Sequence, residues 1–336
     1  MSQVIGAFVA VILGVGTMLL YFFGTNYVLD SALPDKTDGG GNFISREKQR
    51  ETIRPWLFVA PAVLILGLYL VYPAVQTVIL SFFNNRGEVF VGLENWIWSF
   101  GNAEFLQSIG NNLQWLVFVP FLSTAMGLLI AVLADRVRWG TIAKSLIFMP
   151  MAISFVGASV IWKFIYEFRG GEQAQIGLLN AIWVSFGGEP QTWIQLSFWN
   201  NYFLMIILVW IQTGFAMVLL SAALRGVPEE SLEAARIDGA NEIQIFFRIM
   251  IPQIMTTIAV VWTTITITVL KVFDIPQAMT GGQFDTQVLA NLMYDQLFRG
   301  GIDYGRSSVT ATVIMIAVVP IMVWNIRRFQ NEEKAR

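Results

Sequence analysis

The sequence of 336 residues contains no cysteine and no histidine. Without cysteine the chain forms no disulfide framework, and it offers neither a thiol nucleophile nor a cysteine metal site. Without histidine it also lacks the side chain that most often serves as a general base or metal ligand near neutral pH. These two absences exclude several of the commonest kinds of catalytic centre.

Charged residues are scarce as well. They make up 13% of the chain, whereas soluble proteins usually carry about 25%, and hydrophobic residues make up 55%. We therefore predict a polytopic membrane protein, with membrane lipid as its surroundings. The formal net charge is −2, and the basic residues are scattered at the edges of apolar stretches. No nucleic-acid partner is expected, because no basic stripe is present.

Several sequence motifs of enzymes and ion-coupled transporters are also missing. The chain has no G-x-x-x-x-G-K-[ST] phosphate loop, so it is not itself an ATPase. Acidic clusters that would hold a metal-bound sugar phosphate are missing too, which disfavours a membrane-embedded glycosyl-transferring enzyme. Lys163 and Lys271 fall near the ends of predicted membrane spans, where a long side chain can reach the headgroups. With no ionisable group near the middle of a span, we expect the energy for transport to come from a partner.

Seven apolar stretches are long enough to cross a hydrocarbon core about 30 Å thick. No Lys or Arg precedes the first and no small-residue cleavage site follows it, so a retained helix is favoured over a signal peptide. The stretches cover approximately residues 4–23, 56–83, 113–134, 142–166, 202–224, 254–273 and 309–326. We predict an all-α polytopic membrane protein with about seven transmembrane helices.

The polar segments between these spans predict the domain division and the orientation. We expect an extra N-terminal membrane helix (1–24), a cytoplasmic linker (25–54), a core of six helices (55–328) and a cytoplasmic tail (329–336). The run Gly39-Gly40-Gly41 predicts a flexible linker. If the spans alternate, fifteen Lys and Arg residues fall on one side and four on the other. Because positive charge concentrates in cytoplasmic loops, the N-terminus is predicted outside and the C-terminus inside.

Residues 228–252 form the one long stretch between two apolar spans that is patterned as helix. Pro228 suits the first position of a helix, and the glutamates that follow it suit the positive end of the helix dipole. Asp238-Gly239 is predicted to end this helix, with Gly239 in a left-handed cap and Asp238 capping the next start. The second helix is predicted to have one apolar face, formed by Ile243, Phe246, Phe247 and Met250.

The spacing of Glu233-Ala234-Ala235, Gly239 and Ile251-Pro252 resembles the EAA loop in inner-membrane permeases of binding-protein-dependent ABC importers. The family usually has leucine where this chain has Ile251. Asp238 and Ala240 fit a longer form of the loop that resembles the carbohydrate-importing branch, the maltose-type and alpha-glucoside permeases. The likeness extends over about residues 56–328. The alternatives are an ordinary amphipathic surface loop, or a structural or sensory membrane scaffold, which would not need this spacing.

This resemblance implies a type I permease core of an ABC importer in the bacterial inner membrane. Its implied partners are a second homologous permease, a dimer of ABC ATPases docking at the loop, and an extracytoplasmic solute-binding protein. The partner ATPase would use ATP and Mg, and this chain would bind no cofactor or metal. The implied solute is a sugar or sugar-like compound such as an alpha-glucoside, a related oligosaccharide or a polyol glycoside, with a non-sugar polar solute as an alternative. The residues implied in coupling to the ATPase are Glu233, Ala234, Ala235, Asp238, Gly239 and Phe246.

Uncharged polar residues in two predicted spans are candidates for the solute path. Thr257, Thr264 and Thr268 share one helix face at i, i+7 and i+11, and Gln212-Thr213 places an amide in a neighbouring span. A path lined by hydroxyls and amides suits an uncharged polyol better than an ion. The alternative is structural, since threonine hydroxyls often bond to the carbonyl one turn back.

Overall fold

The computed structural model describes residues 2–37, 43–44, 46–135, 137–170 and 173–334. The chain divides into two units, Met1–Gln76 and Thr77–Arg336. Among these described residues, five helices are long and apolar enough to cross a membrane, and the number rises to seven if each of two bent helix pairs counts as one span. The predicted all-α fold with about seven membrane helices is therefore confirmed.

The N-terminal unit contains two long helices. Helix α1 covers Ser2–Ala32, strand β1 covers Lys36–Thr37 and pairs antiparallel with β2 at Phe43–Ile44, and α2 covers Glu47–Leu66. A π-helical turn, Gly67–Val71, leads into α3, Tyr72–Leu80. Thus α1 extends past the predicted span end at residue 23, and α2 begins inside the predicted linker. The glycine run at residues 39–41 lies outside the described residues.

Helix α1 contacts α2 directly. The Tyr21 hydroxyl donates to the carbonyl oxygen of Leu57 at 2.8 Å, and the rings of Phe22 and Phe58 stack with centroids 4.9 Å apart. Aromatic pairs of this kind add about 0.5–1.5 kcal/mol beyond the area that they bury. The N-terminal helix is thus packed on its neighbour rather than joined to it only through the linker.

Ion pairs connect the end of α1, and Asp35 just after it, to α2. Arg50 contacts Asp30 at 3.6 Å and Asp35 at 2.9 Å, and Arg54 contacts Asp30 at 3.4 Å. The backbone N–H of Arg46, helped by the charge of Arg50, holds the pKa of the Asp35 carboxyl below its usual value. Because Asp35 is solvent-exposed, these contacts add little to stability.

The second unit contains the remaining helices, joined by short irregular segments. They are α4 (Glu94–Gly101), α5 (Ala103–Asp135), α6 (Gly140–Phe148), α7 (Phe155–Ile165), α8 (Leu178–Ser185), α9 (Asn200–Arg225), α10 (Glu229–Ile237), α11 (Glu242–Ile245), α12 (Ile251–Gln253), α13 (Met255–Leu270), α14 (Asp274–Met279), α15 (Leu289–Phe298) and α16 (Tyr304–Lys334). Two 3-10 turns cover Met149–Ala152 and Trp193–Gln195, and a π-helical turn covers Phe246–Met250.

The core of this unit lies where α5, α9 and α13 pack against one another. Leu208 and Met217 of α9 are buried there with Ile265 of α13. Gly127 of α5 allows a close approach, because a Cβ at this position would lie 2.5 Å from the Cβ of Ala216. Small residues at such crossings let helix backbones approach closely, as is usual between membrane helices.

The predicted span at residues 142–166 is a pair of helices rather than one continuous helix. Helices α6 and α7 meet at a bend of 108°. Pro150 lies in the 3-10 turn between them, and Ser154 caps α7 by accepting a hydrogen bond from the N–H of Gly157 at 3.1 Å. Proline and a serine cap both favour a helix break, so the sequence contains the cause of the bend.

Trp115 lies in the core of the protein and not at the membrane interface. Its place near a predicted span boundary, together with that of several other tryptophans, suggests an anchor in the membrane interface. In the structure Trp115 is completely buried, and its indole N–H donates to Oδ1 of Asn201 at 2.9 Å. It is therefore a core residue that joins α5 to α9.

A polar cluster joins the end of α5, the start of α6 and the end of α9, and the chain continues from α9 into residues 228–252. Asp135 contacts Nζ of Lys144 at 2.5 Å, Oγ of Ser221 at 3.1 Å and Nη2 of Arg225 at 3.3 Å. Lys144 also donates to Ser221 at 2.5 Å, and only 14% of its side chain is exposed. Three helix ends are thus held by one carboxylate.

Replacing Asp135 with alanine should destabilise the folded chain. Breaking a buried ion pair costs about 3–5 kcal/mol, and we expect about 1–3 kcal/mol here because the carboxylate is partly exposed. The check is the thermal unfolding midpoint of the full chain in detergent. The double variant Asp135→Ala/Lys144→Met should recover part of the loss, because it removes the unpaired charge. An unchanged midpoint in the single variant would contradict this account.

Candidate coupling loop and solute path

The turn between α10 and α11 is a Schellman motif with Gly239 at its left-handed position. The N–H of Ala240 donates to the carbonyl of Ala235 at 3.0 Å, and the N–H of Gly239 donates to that of Arg236 at 3.1 Å. Gly239 has φ +84°, and no heavy atom lies within 4 Å of the position that a Cβ would take. Glycine is therefore needed here for its backbone conformation. The predicted left-handed cap is confirmed.

Helix α11 begins with a capping box built on Asn241. Its side chain accepts from the N–H of Gln244 at 2.8 Å, and Oε1 of Gln244 accepts from the N–H of Asn241 at 2.9 Å. The prediction that Asp238 caps this helix is wrong, since Asp238 is the C-cap of α10. Nε of Arg236 and Oε1 of Glu242 form an ion pair across the turn at 3.0 Å. The hydrogen bonds of the turn and this ion pair together fix how α11 follows α10.

The apolar face predicted for the second helix is divided. The π-helical turn Phe246–Met250 changes the register, since it places one more residue in a turn than an α-helix does. Ile245 is buried, Phe246 is half-buried with its ring 5.0 Å from that of Phe247, and Ile243 and Phe247 are 70% and 61% exposed. Ile237, at the end of α10, is 86% exposed. We call Ile237, Ile243 and Phe247 the exposed apolar residues of the loop.

The residues implied in coupling do not all face outward. Glu233 and Ala234 are exposed, as are Asp238 and Gly239. Ala235, by contrast, is only 8% exposed. Its side chain is covered within the chain itself, so it is not available to a partner in this conformation.

The loop is attached to the core through its second half. Met250 packs against the core cluster, and Ile254 is buried. The chain bends by 70° where α12 is followed by α13. Hydrogen bonds continue through the bend, from the N–H of Ile254 to Met250 and from the N–H of Ile258 to Ile254. A force on the loop would therefore reach α13 through a hydrogen-bonded connection.

Two of the three threonines predicted along the path make hydrogen bonds to their own helix, as the structural alternative expects. Oγ1 of Thr264 donates to the carbonyl of Val260 at 2.8 Å, and Oγ1 of Thr268 donates to that of Thr264 at 3.1 Å. Thr264 is nevertheless exposed, and Thr257 and Thr268 are half-buried. Because the rest of the described chain leaves this face uncovered, the hydroxyl oxygens can still accept from a solute or a second subunit.

The two path candidates on α9 lie in different surroundings. Thr213 is buried and donates to the carbonyl of Val209 at 2.7 Å, whereas Gln212 is half-buried. Among the described residues, no hydrogen bond joins Gln212 or Thr213 to the threonines of α13. Gly214 lies where a Cβ would be 2.6 Å from the carbonyl oxygen of Ile147, so it permits close packing on α6. The structure therefore groups the three threonines by face and leaves the α9 pair apart.

Sequence reasoning missed a set of asparagines that hold the segment after α14. Nδ2 of Asn111 donates to the carbonyls of Asp285 at 2.8 Å and Gln287 at 2.7 Å. Oδ1 of Asn112 accepts from the N–H of Leu289 at 2.8 Å, and Asn200 donates to the carbonyl at residue 284. The asparagines stand in two adjacent pairs, at 111–112 and 200–201, near the starts of apolar spans. That repeated pairing is the pattern that could have identified them.

The comparison with protein families accounts for this architecture. The family described as "Binding-protein-dependent transport system inner membrane component" matches residues 96–330, which is more than half of the chain. The chain belongs to this family. It is a permease subunit of an ABC importer, and hence a transport subunit rather than an enzyme.

Curated relatives extend the similarity beyond the region that the family covers. This permease is 62% identical over 332 residues to the alpha-glucoside transport system permease protein AglF of Rhizobium meliloti, covering 99% of each chain. It is 52% identical over 280 residues to the osmoprotective compounds uptake permease protein GgtC of Synechocystis, covering 83% of this chain and 100% of the other. The lactose transport system permease protein LacF of Rhizobium radiobacter is 28% identical, covering 82% and 94%.

A solved structure supports the fold of the permease. It is similar to a chain in the crystal structure of a bacterial ABC transporter involved in alginate import, with a TM-score of 0.71 and 19% identity. The match covers 85% of this chain and 99% of that one. At this identity the likeness shows the fold alone. Family membership places the permease in the inner membrane.

Proposed function

We propose that this permease imports a neutral sugar of the alpha-glucoside class. The observation that carries the proposal is the 62% identity to an alpha-glucoside permease across 99% of both chains. The uncovered face of α13 supports it, because Thr264 and Thr268 offer hydroxyl oxygens there. A neutral polyol can exchange hydrogen bonds with such a surface, whereas an ion would need fixed charges to replace its water.

The proposed assembly has a second permease, a dimer of ATPases and a solute-binding protein. The exposed apolar residues of the loop, Ile237, Ile243 and Phe247, support a partner at this place, since such side chains form the buried centre of protein interfaces. ATP and Mg are used by the ATPase, and the permease itself binds no cofactor. Glu233, Ala234 and Gly239 lie on exposed surface of the same loop.

The N-terminus is proposed to lie outside the cell and the loop in the cytoplasm, where an ATPase can reach it. The chain has no cysteine, so a single introduced cysteine reports its own side of the membrane. We expect an impermeant thiol reagent to label Ser2→Cys in intact spheroplasts and not Ser45→Cys, a position outside the described residues. Labelling of Ser45→Cys alone would indicate the opposite orientation, with the N-terminus in the cytoplasm.

A related solute is the second candidate. The 52% identity to a permease for osmoprotective compounds favours a solute that is accumulated for its osmotic effect. Within the proposed class of solutes, we take this to be a small polyol glycoside. The two candidates agree on neutral, hydroxylated chemistry and differ in size. They are separated by the solute that the partner binding protein carries.

The test is to purify the tagged permease with its partners and to identify the solute on the co-purifying binding protein by mass spectrometry. We expect a second, similar permease and an ATPase in the complex, and an alpha-glucoside on the binding protein. A polyol glycoside would favour the second candidate. An amino acid or an inorganic ion as the solute would overturn both, and a functional complex without a second permease would overturn the assembly.

A further inference from the structure

A polar pocket of about 560 Å³ lies away from the coupling loop. It is formed by the start of α5, the segment after α14, the end of α15 and the start of α16. Its wall includes the positive-φ glycines Gly281 and Gly282, and its polar lining includes Glu104, Gln287 and Asp295. Small-molecule sites have volumes of about 300–1,000 Å³, so the pocket has room for a ligand of one or two sugar rings.

Gln287 is the polar residue that points to a ligand. It is only 4% exposed, and its Nε2 donates to Oδ2 of Asp295 at 2.9 Å and to Oε1 of Glu104 at 3.3 Å. Two carboxylates fix the orientation of the amide, because only the NH₂ group can donate to them. Oε1 then has no hydrogen-bond partner among the described residues. A buried acceptor without a donor is unfavourable, so a group that donates there would stabilise the pocket.

Gly282 shapes the pocket beside this atom. It has φ +80°, and a Cβ on it would overlap Oε1 of Gln287. Any larger residue would therefore displace the Gln287 side chain as well as strain the backbone. Because Gly282 has no side chain, the Gln287 amide can lie directly beside its backbone.

The charges around the pocket favour a neutral ligand. Asp295 is paired with Nη1 of Arg299 at 3.4 Å, and Asp303 with Nε of Arg306 at 3.5 Å. The guanidinium of Arg306 also lies 3.7 Å from the centre of the Trp98 ring, which holds it at the rim. Carboxylates disfavour an anion, and arginines disfavour a simple cation. Hydroxyl groups, which both donate and accept, fit both kinds of partner.

We propose that this pocket binds the hydroxyl groups of the transported solute at the end of the bundle opposite the coupling loop. The proposal rests on the proposed function for the class of solute. The pocket is a site additional to the threonine face of α13, because its residues come from α5, α15, α16 and the segment after α14. A solute would make contact here before or after it passes along the bundle.

The pocket can be probed with a single cysteine in the full chain, purified in detergent without a binding protein. Gln283 lines the pocket and is exposed, so Gln283→Cys should react with a thiol reagent. We expect maltose at about twice its Kd to slow this reaction about threefold by mass action. The control is Ser185→Cys, an exposed serine on α8 outside the pocket, whose reaction should not change. Glycine betaine, which has no hydroxyl group, should protect neither position.

The variant Gln287→Met tests the role of the amide. It keeps the length of the side chain and removes Oε1, and we expect it to abolish protection of Gln283→Cys by maltose. An unchanged rate at Ser185→Cys in the same background shows that the fold is intact. Retained protection in Gln287→Met would overturn the assignment of the ligand contact to this residue.

Uptake measured in parallel separates this proposal from the proposed function. If the Gln283→Cys chain supports maltose uptake but maltose gives no protection, the pocket proposal is overturned and the proposed function stands. If maltose protects but no sugar is transported, the proposed function fails and the pocket stands. Protection that requires the binding protein would show a protein contact instead, and would overturn the pocket as a solute site.

Discussion

Replacing Gly239 with aspartate is expected to abolish uptake and to release the ATPase, while the chain still inserts into the membrane. The backbone at this position, with φ +84°, is uncommon for residues other than glycine but tolerable for aspartate, at about 1–2 kcal/mol. That strain is too small to unfold a chain of this size. A charge placed without a partner in a packed interface costs roughly 3–5 kcal/mol, which weakens docking more than a hundredfold.

A matched control separates backbone strain from docking. Gly187 has φ +85°, and, as at Gly239, nothing lies within 4 Å of its Cβ position. Gly187→Asp, in the segment after α8, should keep both the ATPase and uptake. Gly239→Ala should lose about 1 kcal/mol of stability and retain coupling if the glycine acts only as a cap. Normal ATPase co-purification with normal uptake in Gly239→Asp would refute the coupling role of the loop.

Ile243→Asp is expected to have the next largest effect, because it places a carboxylate among the exposed apolar residues of the loop. Ile243 is 70% exposed in the single chain, so the substitution removes little internal packing. If the partner buries this side chain at the centre of the interface, its loss costs about 2 kcal/mol or more and weakens binding about thirtyfold. The measurement is the amount of ATPase that co-purifies with the permease at fixed expression.

The control for this second variant is an exposed apolar residue elsewhere. Val89 is 57% exposed in the segment before α4, and Val89→Asp should leave ATPase binding unchanged. Phe247→Asp should behave as Ile243→Asp does, since Phe247 is 61% exposed in the same loop. Equal ATPase recovery from all three variants would mean that the exposed apolar residues are not covered by the ATPase.

The helices and the turn within residues 228–252 could be predicted from sequence because their determinants are local. Pro228 and the glutamates after it specify a helix start, and Gly239 specifies a left-handed end, whatever the rest of the chain does. The cap of α11 was misassigned because Asp238 and Asn241 are both good capping residues, and the Schellman turn decides between them. The π-helical turn at 246–250 was not predicted, because the apolar spacing at 243, 246, 247 and 250 is that of a regular α-helix.

The candidate sites in the helix bundle were less predictable because their determinants are distant in sequence. Trp115 lies near a predicted boundary, yet its partner Asn201 and the helix that buries it are far along the chain. The same is true of Asn111, whose acceptors lie in the segment after α14. Helical periodicity places the three threonines on one face, but it could not show that the hydroxyls of Thr264 and Thr268 bond to their own helix.

The most direct test of the proposed function is ATP-dependent uptake by the reconstituted complex. Vesicles would contain the permease with its co-purifying subunits, with ATP and Mg inside and the loaded binding protein outside. We predict that a radiolabelled alpha-glucoside accumulates only when ATP, the ATPase and the binding protein are all present, and that vesicles carrying Gly239→Asp accumulate none. Accumulation without the ATPase, or ATP-dependent uptake of an amino acid with no uptake of any glucoside, would contradict the account.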